Sequence, residues 1–245
     1  MQQRYVSDEL THFVGRYLRE QPNARQLQYE LLLKILRRGC LCFDINSPSA
    51  KGCTEGLVPL SWNPAARFSA GDMYAPGCIC FCDIPLADLP LHIEKYSAFG
   101  IAFRKEFLIA KGANPVFYLE CRGPARGGAN RSDYFDEMVA GQHRIEDVLR
   151  QELTRGSGDP AIVKVNEELE RFWSFYHRDL MSFAKPFDAS LHESDPDNFY
   201  MEREWRVLGN VAFRTPDVRR VVLPEDYSAS LRADVPEYSG QLSFS

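Results

Sequence analysis

The chain has 245 residues, 44% of them hydrophobic and 12% aromatic, with a formal net charge of −5. That composition supplies a substantial core for one large domain or two small ones and excludes a disordered chain. No apolar run approaches the roughly 18 residues that span a bilayer, the N-terminus lacks the hydrophobic stretch of a secretory signal, and the acidic balance gives no global pull toward nucleic acid. A cytoplasmic globular protein with no membrane role is expected.

In chain order, Leu10 to Val14 reads as a short strand carrying His12, followed by Gly15 and Arg16. Asn23 is the expected cap of a helix over Ala24 to Arg38, where Leu27, Leu31, Leu32 and Ile35 recur at helical spacing before Gly39. Residues 44 to 77 are punctuated by glycine and proline and read as an irregular excursion. Cys78 to Cys82 is an apolar strand, Leu86 to Ser97 a helix with Tyr96 near its end, and Phe99 to Phe103 another strand. Arg104 to Lys111 is expected to be a short helix and Pro115 to Leu119 a strand. Two helices follow, about Asp133 to Thr154 and Ala161 to Ala184, separated by a turn through Gly156-Ser157-Gly158. Strands over Glu202 to Leu208, Arg219 to Leu223 and Gln241 to Phe244 complete the chain. The order gives an α+β fold, a single domain over 1–245 in which strands from both ends meet in one sheet and a helical insertion occupies about 133–184.

Seven cysteines include Cys40-x-Cys42 and Cys78-x-Cys80-x-Cys82, a packing unlike a disulfide framework, so reduced thiols are expected. A C-x-C strand does not wrap a tetrahedral ion easily, and no metal is assigned. Arg122, Arg126 and Arg131 surround a glycine-rich turn, either as a solvated face or as a phosphate-positioning cluster.

The segment Tyr200-Met201-Glu202-Arg203-Glu204-Trp205-Arg206-Val207 concentrates charge. On a strand, Glu202, Glu204 and Arg206 would share one face, and two neighbouring carboxylates repel. The bland explanation is a solvated edge face with Arg206 neutralising one glutamate. The other is a site that handles developing positive charge.

Several phrases carry a resemblance. Ser7-Asp8-Glu9-Leu10-Thr11-His12-Phe13-Val14-Gly15-Arg16, Cys80-Phe81-Cys82-Asp83-Ile84-Pro85-Leu86, His92-Ile93-Glu94-Lys95-Tyr96 leading to Phe99-Gly100-Ile101, Gly112-Ala113-Asn114-Pro115-Val116, and Asp197-Asn198-Phe199-Tyr200 together resemble the AbiGi family of abortive phage-resistance proteins. That resemblance implies a phage-defence component, often called the antitoxin of a pair, with a cognate toxin or antitoxin protein as partner. A more distant similarity, in the order of a His-bearing strand, the helix ending Ile35-Leu36-Arg37-Arg38-Gly39-Cys40-Leu41, a tyrosine and a late Glu-x-Glu, is to ADP-ribosyltransferases of the DarT-like kind. It implies a split β-sheet core and NAD as substrate, with a nucleic-acid or protein acceptor. On that similarity His12 and Tyr96 bind NAD, Glu204 is the catalytic carboxylate and Glu202 orients the acceptor, while Arg16, four residues after His12, offers a guanidinium fork that suits the NAD pyrophosphate. The chemistry is coherent, because cleaving the nicotinamide bond develops positive charge that a carboxylate stabilises without a metal. The competing reading is a non-catalytic antitoxin that binds a toxin or regulates its operon. Lys185 is read either as a helix cap or as a partner of the two carboxylates, and His92 and His177, on predicted helices, as surface or packing residues.

Overall fold

The computed structural model describes residues 7–43, 60–63, 65–85, 88–124, 127, 130–155, 159–192, 195 and 197–245. Much of the 44–77 excursion, the Gly156-Ser157-Gly158 turn and Arg126 lie outside the described residues. In chain order the strands are β1 (Glu9–Phe13), β2 (Cys40–Leu41), β3 (Leu60–Trp62), β4 (Tyr74–Pro76), β5 (Cys78–Cys82), β6 (Gly100–Arg104), β7 (Asn114–Pro115), β8 (Phe117–Glu120), β9 (Ala184–Phe187), β10 (Glu204–Leu208), β11 (Val211–Ala212), β12 (Val218–Leu223) and β13 (Gln241–Phe244). The α-helices are α1 (Ala24–Arg38), α2 (Leu89–Lys95), α3 (Lys105–Ala110), α4 (Arg131–Arg155), α5 (Pro160–Ser174) and α6 (Ser228–Asp234). The fold is α+β. No helix among the described residues is long and apolar enough to cross a membrane.

The chain divides into two units, Met1–Val58, Gly77–Pro115 and Met201–Ser245 forming the first, Pro59–Pro76 and Val116–Tyr200 the second. The helical insertion expected at about 133–184 thus lies within a larger second unit. The predicted strand Pro115 to Leu119 straddles the change of unit, and its two halves pair separately, Asn114–Pro115 with β10 and Phe117–Glu120 with β9.

The first unit is built on a seven-stranded sheet in the order β13-β12-β6-β1-β5-β10-β7, antiparallel except for β12 with β13. Alternation along the strands sends Leu10, Ile79, Phe81, Ile101, Phe103, Val207 and Val221 to one face, where they form a core with Leu32, Ile35 and Leu36 of α1. Burying these apolar chains is the main stabilising term, roughly 1.5–3 kcal/mol for each fully buried side chain. The α1 helix has the expected bounds. It ends at Gly39, whose left-handed φ of 64° lets its N–H bond the carbonyls of Ile35 and Leu36. Its start differs from expectation, since Asn23 is itself left-handed at φ 61° and its side chain makes no cap hydrogen bond.

β1 pairs with β6 at five positions and β5 with β10 at five, but β1 and β5 meet at the single pair Thr11 and Cys82. The sheet is therefore two half-sheets joined at one rung.

The second unit pairs β3 with β4 antiparallel and β8 with β9 parallel, and packs Phe68, Met73, Val139, Met181 and Ala184 into a core. Asp159 caps α5 by accepting from the Ala161 N–H at 2.8 Å, with Pro160 in the first turn. The predicted second helix ends earlier than Ala184. After Ser174 it widens into a π-helical segment over Phe175–Leu180 and then a 3-10 turn, before Ala184 enters β9.

Candidate functional site

The face of the first-unit sheet opposite α1 carries most of the predicted residues. Thr11, Cys82 and Glu204 lie side by side there, with Phe13 further along β1 and Cys80 and Arg206 paired across β5 and β10. Helix α2 covers part of this face. It ends in Tyr96, which stacks on Phe13 at 5.7 Å between ring centroids and on His92 at 6.1 Å.

Glu202 does not belong to that strand face. It ends a 3-10 turn over Tyr200–Glu202, and Arg203, at a left-handed φ of 46°, breaks the backbone before β10 begins at Glu204. The two-residue alternation that would align Glu202 with Glu204 and Arg206 never starts, so the expectation of a shared strand face is corrected. A non-glycine residue at positive φ is held there by its surroundings. The Asp83 carboxylate lies 3.6 Å from the Arg203 guanidinium and 2.7 Å from Lys105 Nζ, while the Arg203 carbonyl accepts from the Asp83 N–H.

Glu202 turns to Tyr96. The Tyr96 hydroxyl donates to Glu202 Oε1, Lys95 Nζ stands 3.2 Å from the same oxygen, and the Arg16 guanidinium sits 5.1 Å from the Tyr96 ring centroid. Burial first, then the charge and hydrogen bond of Glu202, push the Tyr96 pKa up, which keeps the phenol protonated as a donor. Arg16, Tyr96 and Glu202 are thus brought together. Lys95 joins them and was missed in the sequence, although a Lys-Tyr pair at a helix end was the available signal.

Glu204 has a different partner. Its Oε1 accepts from Arg206 Nε at 2.6 Å, and both side chains are largely buried. Burial works against the arginine charge, but the Glu204 carboxylate outweighs it and the net direction for Arg206 is upward. The Cys78 hydrogen bond, then desolvation and the Glu204 charge, hold the Cys80 thiol well above its usual range, so it is not a thiolate nucleophile. Five cysteines, Cys42, Cys78, Cys80, Cys82 and Cys121, are free thiols, whereas Cys40 is disulfide-bonded, contrary to expectation.

His12 points to the other face, away from Glu204, with its ring 5.9 Å from that of Phe81. Beyond the Thr11–Cys82 rung the two strands part, and the His12 ring bridges them through Nδ1 to the Cys80 carbonyl at 2.9 Å. Desolvation outweighs that bond and lowers the His12 pKa, so the ring is neutral and Nδ1–H donates. Where the strands part lies a cavity of about 470 Å³, lined by His12, Arg16, Tyr17, Leu31, Phe43 and Cys78 among others. Arg16 borders both places, this cavity and the Tyr96 ring. Gly15, left-handed at φ 77°, makes the turn that brings it there.

Other expectations resolve simply. Lys185 lies on β9 with its ammonium 4.5 Å from the Phe199 ring centroid. Arg122 pairs with Asp188 at 3.2 Å and Arg131 with Glu120. Among the described residues no group of three or more His, Cys, Asp or Glu side chains is arranged to hold a metal.

The second unit holds a network that sequence reasoning missed. Glu146 Oε2 meets His177 Nε2 at 3.1 Å, His177 Nδ1 meets the Tyr74 hydroxyl at 3.1 Å, and that hydroxyl meets His143 Nε2 at 3.3 Å. Trp62 stacks on His177 with rings 13° apart. Burial would raise the Glu146 pKa, but Arg150 and His177 outweigh it and keep the carboxylate ionised. His143, Glu146 and Arg150 at i, i+3 and i+7 on one helix were the readable sign.

Comparison with known proteins now bears on identity. A family model described as "Putative abortive phage resistance protein AbiGi, antitoxin" matches residues 73–233. The chain belongs to the AbiGi family. A curated AbiGi relative, the abortive phage resistance protein AbiGi of Lactococcus lactis subsp. cremoris, is 27% identical over 143 residues, covering 53% of this chain and 49% of the relative. The chain spans about half the length of the curated relative it matches. No solved structure matches. The AbiGi match takes in Tyr96, Glu202 and Glu204 and leaves out β1 with His12 and Arg16.

Proposed function

We propose that this AbiGi-family chain acts in abortive phage defence as an ADP-ribosyltransferase, using NAD to modify a nucleic-acid or protein acceptor. The observation that carries the reading is the parting of β1 from β5 beyond one rung, with His12 and Arg16 on the cavity that opens there. Its volume falls within the range of small-ligand sites. The residues fit the substrate. Arg16 offers a guanidinium for a pyrophosphate, neutral His12 a ring nitrogen for a ribose hydroxyl, and Leu31 and Phe43 an apolar wall for a flat ring. On the resemblance Glu204 is the carboxylate assigned to the developing positive charge, Tyr96 the aromatic neighbour and Glu202 the group that orients the acceptor; Glu204 and Tyr96 lie on the sheet face opposite the His12 ring, and Arg16 borders both places. Labelled NAD tests this. Purified protein is expected to bind NAD, to lose affinity on His12→Ala, and to transfer label to RNA, DNA or protein from infected cells unless Glu204 is replaced by Gln. Absence of both binding and transfer rejects it.

A second reading is favoured by the Glu204–Arg206 ion pair, which already neutralises the assigned catalytic carboxylate, and by the antitoxin wording of the family description. On that reading the chain binds and neutralises a partner toxin without catalysis. It predicts that Glu204→Gln leaves phage defence intact while a partner protein co-purifies with the chain.

A further inference from the structure

Beside the exposed charges Asp133, Glu137, Arg144 and Asp147, the solvent side of α4 carries an apolar stripe, where surface helices are usually polar. Tyr134, Met138, Ile145 and Val148 are 44%, 48%, 60% and 58% exposed, while Val139, His143 and Glu146 on the same helix face inward. Taken with Gly141, the exposed residues follow one another at alternating intervals of four and three, the spacing of a coiled-coil seam. The stripe runs about 20 Å along the helix. An unpartnered seam of this length calls for an occupant, and the opposite charges beside it, Glu137 and Arg144, point to a second copy of the chain.

The stripe mirrors itself about Gly141. Val148 lies as far after Gly141 as Tyr134 lies before it, and Ile145 and Met138 nearly match in the same way. The flanking charges are mirrored with opposite sign, Glu137 before the glycine and Arg144 after it, both exposed and neither in an ion pair among the described residues. A Cβ added to Gly141 would meet only the far end of the Arg144 side chain, at 3.5 Å, so a flexible side chain and no backbone stands over that point.

We propose that α4 pairs antiparallel with α4 of a second copy of this chain, across a two-fold axis passing near Gly141. In that register Tyr134 meets Val148 of the other copy, Met138 meets Ile145, and Glu137 lies beside Arg144 on both edges. A surface for an unrelated protein has no need of this self-complementarity, whereas a two-fold contact requires it. The seam is small beside the roughly 800 Å² per partner of a standard interface, so the dimer is expected to dissociate in the micromolar range.

Sedimentation equilibrium on the full chain between about 1 and 100 μM tests the pairing. The expected result is a reversible dimer whose dissociation constant rises at least about tenfold with Ile145→Asp, with circular dichroism and melting unchanged because the residue is exposed. Glu137→Arg and Arg144→Glu are each expected to weaken the dimer, and the two together to restore it. A chain that stays monomeric throughout overturns the proposal, as does a dimer indifferent to Ile145→Asp. Failure of the double charge exchange to restore pairing overturns it too. So does a monomeric chain that captures a different protein through this face.

Discussion

Replacing Arg206 by Met tests the account of the buried ion pair. Glu204 is 4% exposed and the Arg206 side chain 12% exposed, with 2.6 Å between the bonded atoms. Removing one partner of such a pair leaves a carboxylate in a desolvated place and typically costs about 3–5 kcal/mol. The residual exposure of Arg206 favours the lower end, about 3 kcal/mol. In a chain of this size each kcal/mol moves the melting temperature by about 2–4 °C, so Arg206→Met is expected to lower it by roughly 6–12 °C. The double variant Glu204→Gln/Arg206→Met should recover most of that loss, because both charges are then gone. Protonation relieves the stranded carboxylate, so the deficit of the single variant should shrink between about pH 7 and pH 5. Thermal unfolding followed by circular dichroism at both pH values measures this. A single variant within about 2 °C of the parent, or a deficit independent of pH, refutes the reasoning.

Two other variants probe the frame around the site. Desolvation lowers the pKa of His12, His92 and His143 from 6.5, so the folded chain holds fewer protons than the unfolded one. Their contribution is complete above the unfolded value and is lost as pH falls through it toward the folded values, so urea unfolding free energy should decline from about pH 7.5 to 5.5. His92 stacks on both Phe13 and Tyr96, with a buried Nδ1 that has no hydrogen-bond partner among the described residues. His92→Phe should therefore flatten that slope and add about 1 kcal/mol, and an unchanged slope would count against the burial argument. Gly39→Ala places a Cβ 2.5 Å from the Phe213 carbonyl oxygen at a φ of 64°. A loss of more than about 1 kcal/mol, read as a lower urea midpoint, is expected.

What could be read from the sequence was local. The α1 helix declared itself through apolar spacing and Gly39, and β5 and β13 through short runs bounded by turns, because each depends on neighbours along the chain. The start of β10 was misplaced because alternation of charge gives no sign of the left-handed turn at Arg203, which the distant Asp83 and Lys105 support. His12 illustrates the same limit. Its type and strand were visible, but which sheet face it takes, and that it bridges to the Cys80 carbonyl, depend on a pairing that links residues far apart. The His143–Tyr74–His177–Glu146 network was hidden for the same reason, since Tyr74 lies outside the helices that carry the other three.

The strand order also constrains how the first unit can be made. Among the described strands β1 is the first in sequence, yet its place is inside the sheet, between β6 and β5, and the other strands of that sheet include β10, β12 and β13, which are made much later. Contacts of such sequence separation close slowly, and β1 has no lasting neighbours until the later segments arrive. A chain truncated before β10 would lack β10, β12 and β13 and could not assemble this sheet.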